Sequence, residues 1–386
     1  MTHFIQGNQI QLLFSGAEYF PALLKAIALA QHEIYLETYI FAEDTTGQAV
    51  ANALKLAAQR GVYVHVLLDG FGCKNLSSTF ITSLQQASVE VLIYRKKISP
   101  WSFKKNRLRR LHRKLVLIDQ SIGFVGGINV IDDFNTPDQV PPRIDYAVRI
   151  EGALIPVITT SMQKLWRHIA RLHLLPMPIK MQAPPIKASS DLAQPSVQAA
   201  FVVRDNLLHR HDIENAYLSA IHQANTEIII ANAYFLPSKS FRQALIAAAK
   251  RGVSVKLLLQ GRQEYMLMLA TYAFYPSFLQ NKIEIYEYRH SFMHSKVAIV
   301  DREWATVGSS NIDPFSLLLA REANVVVKDV AFANTLLTHI LHTIESAHRI
   351  DSQTWAHESL FKKISGWLTF NLVRVLLGII GYGKSQ

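Results

Sequence analysis

A stretch that begins His112-Arg113-Lys114, reaches Asp119 and runs on to Gly126-Gly127-Ile128-Asn129 recurs 182 residues later. The second copy begins His294-Ser295-Lys296, reaches Asp301 and runs on to Gly308-Ser309-Ser310-Asn311. Every internal offset is kept: His to Lys two, Lys to Asp five, Asp to the first Gly seven, Gly to Asn three. One His-x-Lys ahead of an apolar run is explained by a surface histidine at a strand end. Two copies in one register are strong evidence for one chemical unit used twice.

The surroundings repeat as well. A helix is predicted over 17–31, where Phe20, Leu23, Leu24 and Ile27 mark a core-facing stripe. A strand follows over 33–41, a second helix over 48–59 and a strand over 62–68, opened by Arg60-Gly61-Val62. The second train places helices over 212–223 and 241–250 and strands over 227–230 and 253–259. There Lys250-Arg251-Gly252-Val253 matches Gln59-Arg60-Gly61-Val62 at an offset of 191. Each motif is followed by an acidic strand, 145–150 or 322–327, and by a closing helix, 155–172 or 331–347. Helices alternating with buried strands predict an α/β fold, and the long period makes it a domain duplication rather than a solenoid. Leu175 to Ser196, with five prolines, reads as a linker. The expected organisation is therefore a first domain over 1–184, a second over 185–358 and an apolar tail over 359–386.

Leu115 to Ile118 and Val297 to Val300 are continuous apolar runs, predicted as strands buried on both faces. Side chains two apart share a face, so His112 projects with Lys114 and His294 with Lys296. Asp119 and Asp301 have the opposite parity, which casts them as structural anchors. The glycine-rich turns let backbone amides and the side chains of Asn129 and Asn311 approach a small anionic group. Two histidines, two lysines and two asparagines in one pocket suit a phosphate diester. The lysines and asparagines stabilise charge on the non-bridging oxygens. One imidazole attacks phosphorus while the other protonates the leaving oxygen. Asp145 and Glu322 are candidates to orient the two rings. A lysine two residues from each histidine disfavours a bound cation, so no metal or other cofactor is expected.

Composition sets the partner class. The 386 residues carry a net charge of +11 and an isoelectric point near 9.6, which points to nucleic acid, a phospholipid surface or a phosphorylated substrate. The single cysteine, Cys73, excludes an intramolecular disulfide and fits a reducing compartment, where it reads as a small buried filler. Met1 to Leu13 lacks the basic cluster and long apolar core of a secretory signal.

The paired motifs resemble those of the phospholipase D superfamily, whose hallmark is a duplicated His-x-Lys-x4-Asp followed by Gly-Gly/Ser-x-x-Asn. The resemblance covers nearly the whole chain. It implies two similar α/β halves about a pseudo-two-fold axis, with mixed central sheets flanked by helices. It also implies a shared site at their junction and metal-independent catalysis through a phosphohistidine. The catalytic set it implies is His112, Lys114, Asp119, His294, Lys296 and Asp301, with His112 as nucleophile and His294 as general acid. The phosphate-binding set is Asn129, Asn311 and Ser309; the first copy departs from the second in having Gly127 at the position of Ser309. Within the superfamily, Trp304 to Pro314 and Asp145 to Gly152 are similar to bacterial cardiolipin synthases of the shorter type without N-terminal transmembrane helices. That likeness implies transfer of a phosphatidyl group to phosphatidylglycerol, with phosphatidylglycerol or phosphatidylethanolamine as donor.

Two further stretches favour a lipid surface. Lys104-Lys105-Asn106-Arg107-Leu108-Arg109-Arg110 precedes the first motif, and such clusters gain roughly 1 kcal/mol per charge near an anionic leaflet. The tail from Phe361 to Ile380 is apolar, with Lys362, Lys363 and Trp367, and approaches spanning length. Asn371 and Arg374 near its middle favour an amphipathic anchor lying in the membrane plane. The expected location is peripheral, on the cytoplasmic face of the cell membrane. Nucleic acid accounts for the charge but not for the tail, and is not expected as a partner. The alternatives are a phospholipase D hydrolase that makes phosphatidic acid, and a phosphodiesterase or nuclease with the same chemistry.

Overall fold

A computed structural model describes residues 2–95, 109–136, 140–173, 196–205, 208–262, 266–314 and 320–379. Most of the expected linker, with the boundary near residue 185, and most of the basic run before the first motif lie outside the described residues.

In chain order the first half builds strands β1 (Ile5–Phe14), β2 (Glu33–Thr38), β3 (Tyr63–Asp69), β4 (Glu90–Tyr94), β5 (Arg110–Leu111), β6 (Lys114–Ile118), β7 (Ile122–Gly126), β8 (Arg143–Ile144) and β9 (Tyr146–Gly152). The second half builds β10 (Val197–Arg204), β11 (Glu227–Asn232), β12 (Ser254–Gln260), β13 (Glu284–Tyr288), β14 (Phe292–Met293), β15 (Lys296–Val300), β16 (Trp304–Gly308), β17 (Ala320–Lys328) and β18 (His348–Ile350). From the middle outward, the first half is ordered β1, β9, β7, β6, β2, β3, β4 and the second β10, β17, β16, β15, β11, β12, β13. The second series repeats the first, element for element. Both sheets are mixed: β2, β3 and β4 are parallel, and the motif strand pairs antiparallel with its neighbours.

The sequence led us to expect one sheet per half, but the two run into each other. Strand β1 pairs antiparallel with β10, with Ile5 opposite Ala199 and Asn8 opposite Val197. Neither strand was predicted, because neither neighbours the motif.

Side-chain alternation on the motif strands divides the core. Leu115 and Leu117 face one cluster and Val116 and Ile118 another; Val297 and Ile299 are likewise split from Ala298 and Val300. The cluster receiving Leu115 and Val297 is shared by both halves and covered by their closing helices, Ile155–Leu172 and Val330–Glu345. On the opposite face each half has its own cluster, covered in the first half by helices Ser15–Leu29 and Thr45–Gln59. In the second half Asp212–Gln223 and Lys239–Lys250 take that place. The halves are thus joined by a continuous sheet and a common core, which holds the two motifs in one fixed relation.

The tail is a helix, Leu360–Ile379, lying against the second half. Gly366 and Val373 are buried and Phe370 sits edge-on to Phe274 at 5.0 Å. Ile364, Trp367, Leu368, Leu372 and Val375 point outward and are exposed. Among the described residues no helix is long and apolar enough to cross a membrane.

Candidate active site

Two short cross-connections bring the motifs together. Strand β5, just before His112, pairs in parallel with the start of β17, and β14, just before His294, pairs in parallel with β8. The amide of His112 donates to the Arg321 carbonyl at 2.9 Å and that of His294 to the Ile144 carbonyl at 2.7 Å. Each histidine therefore lies beside the residue that precedes the other half's acidic residue.

The carboxylates follow from that placement. His112 Nδ1 lies 2.9 Å from Glu322 Oε1 and 3.1 Å from Oε2, and His294 Nδ1 lies 2.7 Å from Asp145 Oδ2. Each ring is oriented by the opposite half. An Nδ1–H given to a carboxylate leaves Nε2 as the free, lone-pair nitrogen. Burial lowers the His112 pKa below its ordinary 6.5, partly offset by Glu322. Burial, with the charge of Lys296, lowers that of His294 to about 3. Both shifts favour the neutral imidazole.

The lysines point to the same place. Lys114 Nζ donates to the His112 carbonyl at 2.6 Å and lies 5.4 Å from the centre of the Tyr39 ring. Lys296, fully buried, reaches the His294 carbonyl, lies 2.8 Å from His294 Nδ1 and 3.4 Å from Asp145 Oδ2. Nδ1 cannot donate to Asp145 and also accept from Lys296. We take the Asp145 bond as the resident one, because it satisfies a buried carboxylate. Burial pushes Lys114 down to about 7 and lowers Lys296 as well. Asp145 is held below the usual carboxylate range: burial acts to raise it, and Lys296 and His294 outweigh that.

Ser309 and Gly127 play unlike parts. The Ser309 hydroxyl donates to Glu322 Oε2 at 2.6 Å, so it braces the carboxylate behind His112 rather than facing a phosphate. At Gly127 an added Cβ would sit 2.3 Å from Asp145 Oδ1, so the glycine is required by the close approach of that carboxylate. Asn129 and Asn311 are both buried, and Asn129 Oδ1 accepts from the Ile40 amide at 3.1 Å.

Asp119 and Asp301 do not join the other expected catalytic residues. Each lies in the hairpin turn beyond its motif strand, at φ 49° and 52°. Asp119 accepts from the amides of Gln31, His32 and Glu33, and Asp301 from those of Asn225, Thr226 and Glu227, all at 2.8–3.0 Å. They tie the hairpin to the loop before β2 or β11, at the far end of the strand from the lysine. The correction to the motif-based set is physical: five residues of extended chain, with odd parity, carry the carboxylate to the end of the strand away from the motif histidine and lysine.

A cavity of about 980 Å³ opens over the two rings, lined by His112, His294 and Asn129. Its lining mixes apolar side chains, Tyr39, Phe41, Phe71, Leu76, Ile131 and Phe292, with charged ones such as Lys74, Arg143 and Asp313. Tyr39 meets His112 edge-on at 4.8 Å and Tyr234 meets His294 at 6.3 Å, whereas Phe235 is buried in the core of the second half. Cys73 also borders the cavity; its thiol donates to the Tyr39 carbonyl at 3.3 Å, and burial raises its pKa to about 12.

Three residues escaped the sequence reading. Asp69 Oδ2 accepts from the Leu111 amide at 2.7 Å, and Gln260 Oε1 from the Met293 amide at 3.0 Å. They end β3 and β12 and fix the residue before each motif histidine. They stand 191 residues apart, the offset of the Arg-Gly-Val repeat, which was the available signal. Arg143, two residues before Asp145 and on the cavity wall, has Ala320 as its counterpart and so no repeat to announce it.

Known proteins carry the same plan. A family model described as "Cardiolipin synthase, PLD-like domain" matches residues 23–135 and again 217–344. The chain belongs to this phospholipase D-like family. It is 39% identical to cardiolipin synthase B of Salmonella typhimurium over 98% of this chain and 90% of that protein. It is 37% identical to cardiolipin synthase B of Shigella flexneri over the same shares. Among solved structures, phosphatidylserine synthase of Haemophilus influenzae shares the fold, with a TM-score of 0.70 at 14% identity, covering 97% of this chain and 95% of that one.

Proposed function

We propose that the protein is a cardiolipin synthase: a phosphatidyltransferase that moves a phosphatidyl group onto phosphatidylglycerol through a phosphohistidine. One observation carries the reading. Two imidazoles, each clamped by a carboxylate of the opposite half, line one cavity that also carries aromatic and aliphatic side chains. The family membership and the two cardiolipin synthase relatives support the same choice of substrate.

The chemistry follows from charge. Burial favours the neutral form of both imidazoles, with Lys114 and Lys296 close by. A phosphate diester brings a negative charge beside the rings, which favours proton uptake by one of them. His112 Nε2 attacks phosphorus while His294, now protonated, gives its proton to the leaving alkoxide. The P–O bond breaks as the P–N bond forms, and Glu322 stabilises the charge that develops on His112. The lysines and Asn129 stabilise the equatorial oxygens in the dry pocket. The free hydroxyl of phosphatidylglycerol then gives its proton to His294 and displaces His112. Phosphatidylglycerol as donor yields cardiolipin and glycerol; phosphatidylethanolamine yields cardiolipin and ethanolamine.

The aromatic and aliphatic side chains of the cavity lining support a lipid, whose acyl chains can lie against them. The outward face of helix Leu360–Ile379 supports peripheral attachment, in the plane of the cytoplasmic leaflet, with the anionic surface as partner.

The test is incubation with phosphatidylglycerol vesicles labelled in the headgroup glycerol and the acyl chains, followed by lipid chromatography. Labelled cardiolipin with free glycerol is the expected result. Phosphatidic acid alone would assign a hydrolase, and cleavage of single-stranded DNA without lipid turnover would assign a nuclease; either would overturn the reading.

A further inference from the structure

A second cavity, about 250 Å³, lies between the start of helix Lys239–Lys250 and helix Leu360–Ile379, and is formed by residues with no part in the chemistry above. Its lining includes Lys239, Arg242, Pro314, Phe370, Val373 and Arg374. That volume exceeds the space one water needs many times over and is enough for a phosphate group.

Two guanidinium groups converge on one ring. Arg242 lies 5.9 Å from the centre of Phe370 and 4.3 Å from that of Phe274, and Arg374 lies 5.7 Å from Phe370. Arg242 donates to the Pro237 carbonyl at 2.6 Å. Among the described residues neither arginine forms an ion pair with a carboxylate. Glu214, which reaches the adjoining Ser238 hydroxyl at 2.6 Å, also faces His211 at 3.6 Å. Burial and the charge of Arg374 together lower the Arg242 pKa. Two guanidinium groups over one ring repel each other, and an anion between them relieves that repulsion.

The wall of the cavity selects the anion. Phe370, Val373 and Arg374 belong to the same helix whose other face, Ile364, Trp367, Leu368, Leu372 and Val375, is apolar and exposed. Trp367 and Arg374 are seven residues, about two turns, apart, and so on one side of the helix. We propose that this cavity binds the phosphate of an anionic phospholipid, whose acyl chains lie along that apolar face, at a site separate from the catalytic cavity. The inference rests on the reading that helix Leu360–Ile379 lies on the bilayer. It deepens that reading by naming a headgroup site, Lys239, Arg242 and Arg374, where the sequence offered only a general attraction.

The experiment is vesicle co-sedimentation of the full chain, with phosphatidylcholine vesicles and with phosphatidylcholine vesicles containing phosphatidylglycerol. Arg242→Gln/Arg374→Gln is expected to weaken binding to the phosphatidylglycerol vesicles by about thirtyfold and to leave binding to phosphatidylcholine unchanged. Arg374→Gln alone, at an exposed position that does not threaten folding, is expected to cost about fivefold. Lys25→Gln/Lys55→Gln, an equal loss of charge on the first half, is expected to change binding by less than about twofold. An equal effect from that pair, or no effect from the arginine variants, would overturn the site. A thermal stabilisation by inorganic phosphate that the arginine pair abolishes, without any difference on vesicles, would assign a free-phosphate site and overturn the lipid one. Trp367→Ser/Leu368→Ser tests the helix separately. Parental binding of this variant to phosphatidylcholine refutes the in-plane anchor, whereas the phosphatidylglycerol-dependent increment reports the headgroup site.

Discussion

The turn of the first half offers Gly127 to its own acidic residue, Asp145, and the turn of the second offers Ser309 to Glu322. The shorter carboxylate packs where only a glycine fits. The longer one stands off by a methylene and is braced by a hydroxyl. Each carboxylate then serves the histidine of the other half. The lysines differ too: each bonds the carbonyl of its own histidine, but Lys296 also lies 2.8 Å from His294 Nδ1 and 3.4 Å from Asp145. The two halves share a backbone and diverge at the contacts that set ionisation. A duplicated unit has thereby become a pair of unequal histidines, and we propose that this inequality separates nucleophile from acid.

The sharpest way to break this comparison is to remove each ring. His112→Ala and His294→Ala are both expected to lower phosphatidyl transfer by roughly 10⁴-fold or more. A donor bearing a good leaving group, such as a nitrophenyl phosphodiester, should distinguish them. It needs no general acid, so first-turnover nitrophenol release should recover in His294→Ala and not in His112→Ala. Equal recovery in both would dissolve the assignment of roles.

The crossed carboxylates come next. Glu322→Gln and Asp145→Asn each remove the charge that develops against an imidazolium, at a cost on the order of 10³-fold. Because Glu322 serves His112, its variant should behave like His112→Ala with the activated donor, and Asp145→Asn like His294→Ala. If each carboxylate variant mimicked the histidine of its own half, the crossed geometry would be wrong.

Exchanging the turn residues has a smaller effect. Ser309→Ala loses one hydrogen bond to a buried carboxylate, about 1.5–3 kcal/mol, or roughly ten- to a hundredfold in kcat/KM. Gly127→Ser should be worse than Ser309→Ala, because its Cβ would clash with Asp145 rather than merely lose a contact.

The pH profile of kcat/KM gives a milder test. Lys114, at about 7, loses its ammonium as pH rises, so activity should fall above about pH 7. His112 must be neutral to attack, and its pKa lies below 6.5, so the acid side of the profile should fall only below that value. Lys114→Arg should move the alkaline limb upward; an unmoved limb would assign it to another group.

The smallest effect on catalysis belongs to the aspartates. Asp119→Asn and Asp301→Asn should lower thermal stability by about 2–3 kcal/mol each, with activity per folded molecule little changed. For Asp301, whose pKa is lowered in the fold, that contribution is present above the ordinary carboxylate pKa and fades as pH falls through the folded value.

How much of this was legible in the sequence depends on range. Parity along a strand is local, so it separated His112 and Lys114 from Asp119 without a structure. The repeated helix and strand train was legible for the same reason, and the helix over 212–223 falls on Asp212–Gln223. The crossing was not legible. Asp145 and His294 are 149 residues apart and Glu322 and His112 are 210, and nothing in the spacing says which carboxylate meets which ring. Asp69 and Gln260 perform one task with different side chains, so only a register carried over from the Arg-Gly-Val repeat could have found them. The tail's composition favoured an in-plane membrane anchor, and the structure gives one face of it to the core and the other to the outside.

The most direct measurement is rapid-quench trapping of the covalent intermediate with donor labelled at phosphorus, followed by peptide mapping under alkaline conditions that preserve phosphohistidine. The account predicts label on the peptide containing His112, absent in His112→Ala and slowed in its formation by Glu322→Gln. Label on the peptide containing His294, or full turnover by His112→Ala, would contradict it.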